Sequence, residues 1–152
     1  MMISFTLTGA PRTKKNHGKV GWSRTKKRKV HLQSDAYYAW HDAAGSQIPQ
    51  IRRDHIDAGG ELPIGDQVHV RALFFRDADR GDLHAYEQAL GDFLQDLGII
   101  TDDKLIESWD GTRKLVDGKK PRIEVEIVPF RWVRNSAGNI LVPVPVWEDR
   151  GV

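Results

Sequence analysis

Apolar and polar residues alternate at the start of the chain. Ile3, Phe5 and Leu7 stand against polar neighbours, which predicts a strand that ends before Pro11. The period then changes: Tyr37, Trp40, Ala44 and Ile48 recur at helical spacing, with Ser34 placed as N-cap and Asp35 in the first turn. Pro49 kinks or restarts that helix. Gly59, Gly60 and Pro63 break the chain into a loop whose glycines follow no phosphate-binding pattern. A second alternating run sets Val68, Val70, Ala72 and Phe74 on one face of a strand. Leu83, Tyr86, Leu90, Phe93 and Leu97 then form one apolar helical stripe, opened by Asp82 as N-cap and closed by Gly98 at a left-handed C-cap.

The rest of the chain reads as β-structure. A strand is expected over "KLIESWDGTRK", a hairpin turn at "VDGKK", and a strand over "PRIEVEIVPF" with Ile123, Val125 and Ile127 inward. "NSAGN" reads as a turn. "ILVPVPVWE" reads as an edge strand or extended arm, because Pro143 and Pro145 bar it from a sheet centre. This order predicts an α+β domain, a mixed or antiparallel sheet with helices packed on one face, over residues 1–130, with a C-terminal extension over 131–152.

Composition narrows the class. The 152 residues suit one domain with a sizeable core, and 39% apolar with 29% charged residues is ordinary globular usage. No apolar run is long enough for a transmembrane helix and no signal peptide is visible, so no membrane partner is expected. The absence of cysteine excludes disulfides and thiolate zinc sites and fits a cytoplasmic protein. Any metal would be held mainly by oxygen.

Net charge is only +2, but nine of the 23 Lys and Arg residues fall between Arg12 and Lys29 with no acid among them. They are Arg12, Lys14, Lys15, Lys19, Arg24, Lys26, Lys27, Arg28 and Lys29, with His17 and Trp22 interleaved. Such a segment is the footprint of nucleic-acid binding, or else a solvated loop. Lys14, Lys15, Arg24, Lys26, Lys27, Arg28 and Lys29 are the candidate DNA contacts.

Carboxylates bracket the long helix: Asp82 before it, Asp102 and Asp103 after it. His84, Gln88 and Asp92 line a polar stripe along it. Each has an ordinary structural role as cap, turn or solvated face. Together with a basic segment they suit nuclease chemistry, in which hard oxygen ligands hold Mg²⁺ against a phosphodiester. Asp82, Asp102 and Asp103 are expected to converge on one site through the strand that follows the helix.

The stretch "GDLHAYEQALGDFLQDLGIITDDKLIESW", with "TLTGAPRTKKNHGK" before it and "PRIEVEI" after it, resembles the RusA-type Holliday junction resolvases of bacteria and prophages. That family carries Asp-x-Asp-Asn at a helix start, a Lys one turn later, and an Asp-Asp pair before a strand. The match from Asp82 to Asp103 needs no gap, and the resemblance extends to about Ile127. It implies a homodimeric, metal-dependent endodeoxyribonuclease that cuts four-way junctions and other branched DNA in recombination and repair. By position it implies Asp82, Asp102 and Asp103 as Mg²⁺ ligands and catalytic acids. His84 replaces the second motif Asp, Ala85 the Asn and Gln88 the Lys. His84 suits a softer ion such as Mn²⁺, or a base, and is carried as a catalytic candidate. Arg80, Lys104 and Arg113 are candidates for the missing positive charge. The rival expectation is a junction- or nucleic-acid-binding protein whose metal site has decayed.

Overall fold

The computed structural model describes residues 2–14, 19–23, 28–32 and 35–146. The elements run β1 (Ile3–Thr8), β2 (Lys19–Ser23), β3 (Arg28–Leu32), α1 (Asp35–Gly45), α2 (Ile48–Asp57), β4 (Val68–Arg76), α3 (Leu83–Asp96), β5 (Ile106–Ser108), β6 (Arg113–Val116), β7 (Arg122–Arg134) and β8 (Leu141–Pro145). A single 3₁₀ turn, Asp103–Leu105, precedes β5. The chain is α+β with a mixed sheet.

Strand order in the main sheet is β1-β7-β4-β5, with β6 continuing along the same edge of β4 beyond β5. β1 and β4 flank β7 antiparallel; β5 and β6 lie parallel to β4. The period-2 pattern now has a physical outcome. Ile3, Phe5 and Leu7, Val70, Ala72 and Phe74, and Ile123, Val125 and Ile127 all turn to one face and are buried. On that face they share a core with Tyr37 and Trp40 of α1 and with Tyr86, Leu90, Phe93 and Leu94 of α3. The opposite face is polar, with Arg71 paired to Glu126 across the strands and Arg122 to Glu124 along one.

The predicted helix after residue 34 is two helices. Ser46 and Gln47 interrupt it, and Pro49 falls in the first turn of α2, where its missing N–H costs nothing. Ser34 lies outside the described residues. Asp82 caps α3 as expected, and Gly98 follows with φ +71°, the left-handed conformation that glycine adopts without strain. Arg52 of α2 donates to the Leu97 carbonyl at 2.8 Å, so a cation satisfies the exposed end of α3.

Two strand expectations change. The single strand over 104–114 is instead a 3₁₀ turn, β5, a tight turn and β6. The expected hairpin at 116–120 is absent: β6 pairs with β4, not β7, so residues 117–121 cross the end of β4. Asp117 closes that crossing. Its amide donates to the Arg76 carbonyl at 2.9 Å, and its carboxylate accepts the Lys119 and Lys120 amides. The reason is topological. A strand arriving through the α3 crossover joins β4 in parallel, and the next strand must then return antiparallel on β4's other edge. The boundary expected at residue 130 also falls inside β7, which continues to Arg134 and pairs with β8.

Gly91 lies inside α3, where the 3₁₀ turn crosses it. A Cβ there would meet the Asp103 Cβ and Ile106 at 3.7 Å and Trp109 at 3.9 Å, ordinary contact distances. Glycine in a helix interior costs about 1 kcal/mol relative to alanine. Gly91→Ala should therefore raise stability by roughly 0.5–1 kcal/mol, read as a higher urea midpoint with an unchanged slope. A lower midpoint would mean that the turn needs the bare backbone.

Candidate functional site

Asp82 is held in extended backbone at the head of α3, its carboxylate accepting the Ala85 amide at 2.7 Å. His84, one position into the helix, is 78% exposed and reaches only Glu87, at 4.0 Å. Gln88 is exposed one turn later. Arg80 pairs with Asp77 at 3.3 Å. Among the described residues, no hydrogen bond or ion pair joins Asp82, His84, Gln88 and Arg80 to one another.

The acids gather further along. Asp102 opens the 3₁₀ turn, accepting the Lys104 amide at 2.9 Å, with the Lys104 ammonium 3.6 Å from its other oxygen. The Asp103 amide donates to Gln95 Oε1 at 2.9 Å, which fastens the turn to α3. The Asp103 Cβ lies against α3 at Gly91, which sets Asp103 next to Asp92.

Electrostatics divide the Asp102–Asp103 pair. Partial desolvation where the exposed Asp103 meets α3, then Asp92 and Asp102, push its pKa above the ordinary 3.8. The Lys104 amide, and after it the Lys104 charge, hold Asp102 below that value. One neighbour is stabilised as an acid and the other as an anion, a division that acid–base chemistry requires.

Lys14 closes the group from the far end of the chain. Its ammonium stands 2.8 Å from Asp92 Oδ2 and 5.3 Å from the centre of the Tyr37 ring. Burial would lower its pKa, but the hydrogen bond to Asp92 and the charges of Tyr37 and Asp92 outweigh that, and the net shift is upward. Beyond Asp92, His41 of α1 meets Asp96 at 3.2 Å.

The expected convergence of Asp82 with Asp102 and Asp103 is not what this arrangement brings together. Ten residue steps along α3 separate Asp82 from Asp92, a rise of about 15 Å. Because β5 begins opposite Val68, the chain leaving α3 lays Asp103 against the helix's C-terminal half, away from its head. No group of three or more His, Cys, Asp or Glu side chains placed to hold a metal ion occurs among the described residues.

Of the expected DNA contacts, Lys15, Arg24, Lys26 and Lys27 lie outside the described residues. Arg28 and Lys29 are in β3, paired in register with Ser23 and Trp22 of β2. Lys14 is the one whose side chain is described, and it is already paired. Arg12 forks onto both oxygens of Asp77 at 3.1 and 3.3 Å, and chiefly through that contact lowers the Asp77 pKa. The base of the basic segment is thus anchored by acids from elsewhere in the chain.

No protein-family model matches the chain, and no curated protein matches it. Among the described residues, no helix is long and apolar enough to cross a membrane.

Asp92 is the site residue that sequence reasoning passed over. It stood on the polar stripe, and a second signal was available. Asp92 and Asp96 lie in the half of α3 where the helix dipole is negative, and the last turn has no basic residue. Acids placed against the dipole and against each other raise the energy of the fold, and such local conflicts gather at working sites.

Asp103 binds its proton more tightly in the folded than in the unfolded chain. Its contribution to stability therefore falls as pH rises from the ordinary carboxylate value through the raised one. Asp103→Asn removes that penalty. The variant should melt higher than the parent at pH 7, and the advantage should vanish as pH drops below 3.8. A variant that melts lower at pH 7 would show that the carboxylates do not oppose one another.

Proposed function

We propose that this chain is a metal-dependent, structure-specific endodeoxyribonuclease of the Holliday junction resolvase type. It acts as a homodimer on branched DNA, in recombination and repair. The observation that supports this best is the 2.8 Å ion pair of Lys14 with Asp92 on α3, next to Gly91, against which the turn carrying Asp103 packs. An acid pair and a cation from the basic segment meet at one place, as phosphodiester cleavage requires.

The donor set suits a hard divalent cation. Asp92 and Asp103 offer oxygen alone, and Mg²⁺ commonly takes one or two carboxylates, keeps several waters and completes its shell with substrate phosphate. A compact acid pair is therefore sufficient protein ligation, with Mn²⁺ the alternative ion. When bound, the cation supplies polarisation of the phosphoryl oxygens and charge stabilisation. Asp102 remains anionic because the Lys104 amide holds it. The raised pKa of Asp103 belongs to the metal-free pair, and a cation held there would favour its anionic form. Lys14 exchanges Asp92 for a phosphate oxygen. In this assignment Asp82 is a helix cap, and His84 has no part in the acid group.

A second reading is favoured by one observation. Asp82, His84 and Gln88, at the positions of the resolvase motif, stand apart from the acid pair. A protein that binds junctions without cutting them would need no more than this.

A synthetic four-way junction incubated with Mg²⁺ or Mn²⁺ decides between them. Paired symmetric nicks are expected. Asp92→Asn and Asp103→Asn should each lower the rate by about a hundredfold or more, the scale of a lost acid–base group. Asp82→Asn, which preserves the cap, should stay within a few-fold of the parent. Binding without nicks in either metal would establish the non-cutting reading. An Asp82→Asn defect as deep as that of Asp103→Asn would mean that the metal is held from the head of α3. A monomer in sedimentation that still nicks in symmetric pairs would remove the dimer.

A further inference from the structure

β7 outlasts the sheet that contains it. Its last residues, Phe130 to Arg134, pair only with β8, forming a two-stranded ribbon that leaves the domain where β4 begins. Segment 129–146 contains Arg131 and Arg134 and no acidic residue. Strand alternation puts Trp132 and Arg134 on one face, with Leu141 opposite Arg134 in register.

Trp132 is 48% exposed, yet its ring is fixed. The indole N–H donates to Gln67 Oε1 at 3.0 Å, and Phe130 meets the ring edge-on with centroids 5.9 Å apart. Gln67 in turn donates to Glu107 of β5 at 2.8 Å. A tryptophan required only for packing would be covered. Here its single donor is used to orient it while about half of its surface stays open. The brace also ties the ring to β5, the strand that follows the Asp102–Asp103 turn.

We propose that the β7–β8 ribbon is a stacking platform for an unpaired base, with the braced indole of Trp132 as the stacking surface on the same face as the Arg134 charge. Aromatic platforms flanked by cations hold single-stranded nucleic acid with little sequence preference, because every base has a π-face. Charge favours this occupant over a second copy of the chain. A two-fold contact of the face with itself would set Arg134 near its own counterpart with no acid on the ribbon to offset it. The inference rests on the nuclease reading only for the source of the unpaired base, which a DNA branch point supplies.

The test is binding by the full chain without divalent metal, so that cleavage plays no part. Anisotropy is followed with three labelled probes: a short oligothymidylate, a linear duplex and a four-way junction. Trp132→Ala should weaken oligothymidylate and junction binding by about tenfold, the scale of one lost base–aromatic stack, and leave the duplex nearly unchanged. Trp132→Phe should recover most of the loss. Gln67→Ala, which releases the ring from outside the ribbon, should produce a smaller loss with the same selectivity, and it serves if Trp132→Ala does not fold. Equal losses on all three probes, or no loss with either Trp132→Phe or Gln67→Ala together with none in Trp132→Ala, would overturn the platform. A change of oligomeric state in sedimentation would also overturn it, making the ribbon a subunit contact. A parent that binds the junction selectively but never cuts it removes the nuclease and leaves the platform standing. A parent that cuts normally with Trp132→Ala binding unaltered does the reverse.

Discussion

One strand edge carries the arrangement. The outer edge of β4 accepts β5 and then β6 in parallel, and parallel pairing demands a crossover, which α3 provides. The helix runs back along the strand before the chain can start β5 opposite Val68. Ile99 and Ile100 are buried on that return path, and Ile64 grips it through two backbone bonds, receiving from Thr101 and donating to Ile99. Once the path is fixed, the following turn has only the side of α3 to lie on. The turn packs against α3 at Gly91, and Asp103 comes to lie next to Asp92 as a result.

The charges are arranged against this geometry more than by it. Asp92 and Asp96 oppose the helix dipole, and Asp103 is added to them with its pKa raised. What offsets the repulsion comes from distant positions in sequence: Lys14 on Asp92 and, one helical turn further along, His41 on Asp96. Arg12, two residues before Lys14, is fixed to Asp77. The start of the basic segment is therefore attached to the folded domain at two points, and its position relative to the acids is set by the core.

Elements whose pattern is local were legible. The alternation of Ile3, Phe5 and Leu7 gave β1, and the stripe from Leu83 to Leu97 gave α3 with its cap at Asp82 and its left-handed glycine. What escaped was long-range. Nothing in "VDGKK" distinguishes a hairpin from a crossing, because the difference lies in which strand β6 pairs with, and that depends on α3. The carboxylates were visible as acids, but their partners were not. Whether Asp103 faces Asp82 or Asp92 depends on where the return path lands along α3, and periodicity has no information on that. The single strand expected over 104–114 failed for a related reason: Trp109, Asp110 and Gly111 form a turn between two short strands that share one neighbour.

The prolines of β8 have a consequence for the chain's behaviour in a crowded solution. The ribbon exposes Val133, Ile140, Leu141 and Val142, and an apolar two-stranded edge of that kind invites neighbouring molecules to add strands one after another. In β8 the amides that face β7 belong to the even positions, as the Val146 bond to the Pro129 carbonyl shows. The outward amides would be those of residues 141, 143 and 145, and two of these are prolines. Only Leu141 has an N–H to offer a newcomer, so a ladder that starts there has no second donor on which to grow. The β8 edge of the ribbon is thereby closed to strand addition by its own backbone, while its side chains stay available for recognition.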